Sequence, residues 1–194
     1  MKIIVPDGEI EDIYKFSPIS AFMLDNPIRR FFQNPVKILS PYIRNGMTVI
    51  DIGCGPGMFS LVMAELVGPQ GKVIAVDLQQ EMLDAIKRKS DRSGLTSRMR
   101  FHRNTPGQLG IPEKADFILS FYMVHEVPDQ PAFFREVKDI LKPHAKYLLV
   151  EPGFHVSRKA FYEEIERARR SGLAVVESPK MIFSRAAVFE TAEK

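Results

Sequence analysis

Residues 49–60 read VIDIGCGPGMFS, an apolar run that ends on Asp51 and passes through Gly53, Gly55 and Gly57 before a helical pattern begins. Glycines at alternate positions let a chain turn sharply and bring bare backbone against a ligand. A dinucleotide fingerprint, G-x-G-x-x-G, would need glycine where this chain has Met58. Asp51 would also repel a diphosphate, whereas it would attract a ligand with a positive charge and an amino group. The next apolar run, KVIAVD, ends on Asp77, 20 residues beyond Gly57, where a carboxylate can accept hydrogen bonds from both hydroxyls of a ribose. A nucleoside carrying an amino acid satisfies both acids. A plain strand-to-helix turn is the competing reading of the glycines, and it leaves the two acids unexplained.

These residues need a scaffold that brings the ends of several strands together. Five apolar runs are predicted as parallel strands, at 47–52, 72–77, 98–102, 115–121 and 146–151, and three of them end on or just before a carboxylate. Helices are predicted at 58–67, stopped by Gly68, at 80–90, and at 131–141, stopped by Pro143. A helix at 157–170 ended by Gly172 and a last antiparallel strand pair at 173–177 and 186–190 complete the pattern. The alternation predicts a doubly wound, Rossmann-like α/β fold: three layers around a seven-stranded, mostly parallel sheet. Pro6, Pro18, Pro27, Pro35 and Pro41 cut residues 1–45 into short helical pieces. That segment reads as a lid over the sheet's open edge, or as plain packing against it, on a single domain whose core is 46–194.

The chain has 194 residues, 45% of them hydrophobic, which suits one domain. With 27 Lys and Arg against 24 Asp and Glu, its net charge of +3 gives no strong field for nucleic acid. Seven cations crowd residues 87–103 against the single acid Asp91 and could meet phosphates or an anionic membrane; serving a helix C-terminus is the plainer account. Cys54 stands alone, which excludes an intramolecular disulfide or a thiolate zinc site and suits the cytoplasm. The four histidines are scattered singly, and no metal site is expected. No run approaches the ~20 apolar residues of a membrane span, and Pro6 and Gly8 leave no room for a secretory leader.

VIDIGCGPG followed by IAVD, ADFILSFYMVHEV, REVKDILKP and YLLVEP closely resembles the class I S-adenosylmethionine-dependent methyltransferases, over residues 37–190. Within that superfamily it looks most like the small proteins related to quinone-biosynthesis and arsenite methyltransferases. The resemblance implies that Asp51 and the loop through Gly53, Cys54, Gly55 and Gly57 hold the amino acid end of S-adenosylmethionine, and Asp77 its ribose. Leu78 and Met82 would border the adenine. Asn104, with Thr105 beside it, stands where relatives offer the adenine an aspartate. Ser120 and Phe121 would run past the sulfonium, and S-adenosylhomocysteine would be the product.

Methyl transfer from a sulfonium is a direct displacement that needs alignment more than it needs a base. Where the acceptor must lose a proton, His125, with an ordinary pKa near ~6.5, and Glu126 beside it are the candidates. A purely structural His125 is the competing reading. Tyr122, Glu151, His155 and Tyr14 are further candidates to line the cleft. Cys54 reads as a small apolar filler, not a nucleophile. One thiol cannot hold arsenic, and the Asn/Asp-Pro-Pro-aromatic motif of base methylation is absent after the fourth strand. With no inserted domain after Glu151, the expected function is methylation of a small-molecule acceptor. The alternatives are a non-catalytic S-adenosylmethionine-binding regulator or partner subunit, and, disfavoured by Asp51 and Met58, a nicotinamide oxidoreductase.

Overall fold

The computed structural model describes residues 33–192. The elements run α1 (Pro35–Leu39), β1 (Thr48–Ile52), α2 (Ser60–Leu66), β2 (Lys72–Asp77), α3 (Gln80–Arg92), β3 (Met99–Arg103), β4 (Ala115–Phe121), α4 (Gln130–Ile140), β5 (Leu141–Pro152), α5 (Arg158–Arg170), β6 (Leu173–Glu177) and β7 (Ser184–Thr191). They build one seven-stranded sheet in the order β3-β2-β1-β4-β5-β7-β6, in which only β7 runs against its neighbours. The chain winds outward from β1 to β3 and then returns to β4 on the other side of β1. That reversal is the switch point beside which such sheets bind ligands.

The central strands are apolar on both faces because both are covered. Ile50, Ile52, Ile74, Val76 and Ile118 face α4, where they meet Phe133, Phe134 and Val137. Val49, Val73, Phe117, Leu119, Leu148 and Val150 face the other way, onto Leu39 of α1 and Met63 and Ala64 of α2. The register sets Ile52 beside Val76 on one side and Ser120 on the other, so Asp51, Asp77 and Phe121 come to one edge of the sheet.

The seven strands and the final antiparallel pair match the sequence reading, with local differences. Helix α2 starts at Ser60, two residues later than predicted, because the chain through Gly53, Gly55 and Gly57 is spent on a turn with φ of +69°, +51° and +92°. Helix α4 stops at Ile140, and β5 begins at once with Leu141, ahead of Pro143, not at residue 146. Most of the predicted lid, residues 1–32 with Tyr14, lies outside the described residues. Its described end is α1, opened by Pro35 and capped by Asn34, whose side chain accepts from the Lys37 N–H at 3.1 Å.

The basic run at 87–103 has local tasks. Lys89 Nζ donates to Pro56 O at 2.7 Å, Arg98 to Ala64 O at 2.9 Å and Arg103 Nε to Leu78 O at 3.0 Å, while Arg100 pairs with Glu113. Two of these bonds brace the turns that follow β1 and β2.

Candidate active site

A cavity of about 620 Å³ opens at the switch point, a size suited to a cofactor together with a small acceptor. Its wall takes Asp51, Gly53, Cys54 and Gly55 from the end of β1, Asp77 and Leu78 from the end of β2, and Met82 from α3. Asn104 and Thr105 join from the loop after β3, and Phe121, Tyr122 and Glu126 from the end of β4 and beyond.

Asp77 organises the loop. One carboxylate oxygen accepts from the Gly55 N–H at 2.9 Å and the other from the Gln79 N–H at 3.0 Å, while the Gly53 and Cys54 N–H groups donate to Val76 O at 2.9 and 3.0 Å. Burial lifts the Asp77 carboxyl above the ordinary range, and the N–H groups of Gln79, Gly55 and Leu78 hold it back. Oδ2 also takes a long contact from Cys54 Sγ at 4.0 Å, and the carboxylate keeps acceptor capacity for a ribose hydroxyl. At Gly55 a Cβ would meet nothing within 4 Å, which leaves open backbone beside this carboxylate.

Asp51 is only 2% exposed. Ser60 Oγ donates to its carboxylate, yet burial, with the charge of Asp77 adding to it, pushes the acid up to about 7. A cationic group in the cavity would relieve both effects. The buried acid, the open glycine and the half-satisfied Asp77 together fit an amino acid, a sulfonium and a ribose on one ligand.

The same cavity is also lined by a row of aromatic rings. Phe59 lies 4.3 Å from Phe121, and Phe121 lies 4.5 Å from Tyr122, between ring centroids. Tyr122 adopts φ +63°, a left-handed conformation that side chains disfavour by roughly 1–2 kcal/mol. Its N–H donates to Val150 O at 2.8 Å, and its hydroxyl shares a hydrogen bond with Ser184 Oγ at 2.5 Å and accepts from Gln33 Nε2. Strain held from several sides in this way is common where a side chain must be aimed.

Residues 43–186, most of the chain, match the methyltransferase domain family. The chain belongs to that family. Demethylmenaquinone methyltransferase of Oceanobacillus iheyensis is 30% identical over 124 residues, 62% of this chain and 52% of that one. The corresponding protein of Lactobacillus johnsonii is 24% identical over 156 residues, 76% of this chain and 62% of its own. The chain thus spans little more than half the length of these curated relatives. A solved S-adenosylmethionine-dependent methyltransferase from Aquifex aeolicus superposes with a TM-score of 0.81 at 25% identity, covering 90% of this chain and 98% of that one. Family and fold are those of class I S-adenosylmethionine-dependent methyltransferases, as the sequence resemblance implied, and S-adenosylmethionine is the methyl donor they imply.

Five of the residues singled out from the sequence stand off the cavity wall of the methyltransferase: Gly57, Ser120, His125, Glu151 and His155. Gly57 turns its bare face to α3. Ser120 is fully buried in β4, and its hydroxyl has no hydrogen-bond partner among the described residues. His125 sits in a 3-10 turn after β4 with its ring 17% exposed, and both oxygens of the fully buried Glu151 hold it: Oε1 accepts from its N–H at 3.0 Å, and Oε2 lies 2.6 Å from Nδ1. Its Nε2 points toward Glu126 at 3.9 Å, and its ring lies edge-on to His155 at 5.0 Å. Burial alone would lower the His125 pKa, but the Glu151 hydrogen bond and charge, with Glu126 and Glu164, raise it. Glu126 lines the cavity, and Glu151 and His155 stand behind it. Cys54 is on the wall but buried, and burial beside Asp77 and Asp51 drives its thiol pKa well up, so it is no ready thiolate.

Sequence reasoning missed Phe59, Met123 and Glu136 of the same wall. Met123 packs where a Cβ on Gly53 would otherwise sit, 2.8 Å from its Cγ. Glu136 accepts from the N–H groups of Leu109 and Gly110 at 2.9 and 3.3 Å and pins the loop after β3. A carboxylate three residues after Phe133, on the inward face of α4, was the signal available for it. Among the described residues no three His, Cys, Asp or Glu side chains are grouped to hold a metal, and no helix is long and apolar enough to cross a membrane.

Proposed function

We propose that this methyltransferase transfers the methyl group of S-adenosylmethionine directly to a small, flat, largely apolar acceptor bound against Phe59, Phe121 and Tyr122. The observation that carries the reading is one cavity lined both by Asp51, Gly55 and Asp77 and by the aromatic row of Phe59, Phe121 and Tyr122. The donor, when bound, supplies an activated methyl on a sulfonium. Asp51 would hold its amino end, the open backbone at Gly55 its chain and Asp77 its ribose. Leu78 and Met82 would border the adenine, and Asn104 with Thr105 would meet its polar edge. Phe121 and Tyr122 exclude water from the line along which the acceptor approaches. Where the acceptor gives up a proton, Glu126 is the group on the wall to take it, with His125 behind it as a second station fixed by Glu151.

Titration calorimetry with S-adenosylmethionine and S-adenosylhomocysteine tests the reading. Binding that weakens at least about a hundredfold in Asp77→Ala is the expected result. Unchanged binding in that variant, or none in the wild type, would overturn it. Since two similar chains carry the name demethylmenaquinone methyltransferase, hydroxylated naphthalenes are the first acceptors to screen for S-adenosylhomocysteine formation.

A further inference from the structure

Behind Tyr122 lies a second cavity of about 390 Å³, lined by Gly153, Phe154, Arg158, Phe183, Ser184 and Arg185. No carboxylate is among these residues. Arg158 opens α5 and Arg185 lies on β7. Neither arginine has an ion-pair partner among the described residues, and the Nε of Arg185 is buried with no hydrogen-bond acceptor. Its cross-strand neighbour is Glu151, whose two oxygens are committed to His125. The guanidinium lies across Gly153, where a Cβ would come within 2.7 Å of Nη1.

A buried donor without an acceptor carries a desolvation cost that a fold rarely leaves standing. A guanidinium fork matches the two oxygens of a carboxylate or phosphate, and a second cation on the same cavity adds to the attraction. Phe154, 83% exposed, offers an apolar surface beside the charges. This cavity and the larger one share a partition. Tyr122 lines the larger cavity, its hydroxyl bonds Ser184 Oγ at 2.5 Å, and its ring meets Phe154 edge-on at 6.4 Å.

We propose that Arg185 and Arg158 form a subsite for an oxyanion group, a carboxylate or a phosphate, that the acceptor carries on an apolar body lying over Phe154. The assignment of this anion to the acceptor rests on the methyl-transfer reading above; the site itself does not.

The test is a titration of the purified chain with benzoate, phenyl phosphate and, as neutral control, benzyl alcohol, followed by the NMR signals of the arginine Nε–H groups. Saturable shifts at Arg185 with at least one anion are expected, with benzyl alcohol about tenfold weaker or more, and the stronger anion distinguishes carboxylate from phosphate. Arg158→Gln, at an exposed first helical turn that the fold does not need, and Arg185→Met should each weaken anion binding about tenfold while S-adenosylhomocysteine still binds. Equal affinity for benzoate and benzyl alcohol, or wild-type anion affinity in Arg158→Gln, overturns the proposal. Binding to phosphatidylglycerol vesicles without any response to the soluble anions also overturns it, in favour of a membrane surface. Anion binding kept by a chain that fails to bind S-adenosylhomocysteine supports the oxyanion site and removes only its link to methyl transfer.

Discussion

Gly57 gives up its side chain to Ile86, since a Cβ on Gly57 would lie 2.8 Å from Ile86 Cγ1, whereas Gly55, two residues earlier, has nothing within 4 Å. The two glycines of one motif therefore serve different ends. Gly57 lets α3 pack against the loop, and Gly55 keeps a face of backbone open to the cavity.

That division predicts two different failures. Gly57→Ala, at φ +92° and against Ile86, should lose about 2–4 kcal/mol of stability, read by urea denaturation. Gly55→Ala should lose only about 1–2 kcal/mol for its left-handed backbone, yet bind S-adenosylhomocysteine at least about tenfold more weakly. If the two variants lose stability and binding in equal proportion, the division is wrong.

Ser60 is the donor that keeps Asp51 tolerable inside the protein. In Ser60→Ala the buried carboxylate loses that bond, at a cost of about 1–3 kcal/mol when it is ionised. Asp51 titrates at about 7 in the fold against ~3.9 unfolded, so its contribution to stability falls as pH rises between those values. The variant's deficit should therefore be larger at pH 8 than at pH 5, where the protonated acid needs no donor. Denaturation curves at the two pH values decide it.

Binding of a cation beside Asp51 should release a proton below neutral pH. Because a positive ligand favours the ionised acid, affinity for S-adenosylmethionine should rise as pH climbs toward about 7, by up to about tenfold per unit, and level off above it. Calorimetry in two buffers of different ionisation enthalpy counts the proton directly. Asp51→Asn should flatten the slope, and a slope unchanged in that variant would assign the proton to another group.

His125 and Glu151 should make a contribution to stability that, like that of Asp51, falls as pH rises. A histidine whose folded pKa is raised stabilises fully below its unfolded value of ~6.5, and that contribution is lost as pH rises through the folded value. His125→Ala also leaves a fully buried carboxylate without its main partner, so a loss of about 3–5 kcal/mol is expected near pH 6, shrinking toward pH 9. A deficit independent of pH would mean that the ring contributes packing alone.

The parallel strands were legible because burial on both faces leaves runs such as KVIAVD and ADFILSF with almost no polar positions. The glycine turn was legible for a related reason, since left-handed backbone at three alternate positions restricts the residues allowed there. The first residues of β5 were not, because Leu141 to Lys146 carries a proline and three partly or fully exposed positions that read as a loop. Nor was the left-handed backbone of Tyr122, which no residue type announces. Strand alternation could have separated Ser120 from Phe121, one buried in the sheet and one on the cavity. The clasp of Glu151 on His125 spans 26 residues and belongs to tertiary structure alone.

The place of β7 has a consequence for how the chain is made. Residues 184–191 slot between β5 and β6, so until they leave the ribosome β5 has a bare edge and β6 has no partner in the sheet at all. Synthesis runs from the N-terminus at about 5–20 residues per second, and the nascent sheet spends that interval with the backbone of Tyr147 to Val150 unpaired on one side. A chain arrested before Ser184 should be cut readily by protease, and release of the last strand should close the sheet in a single step.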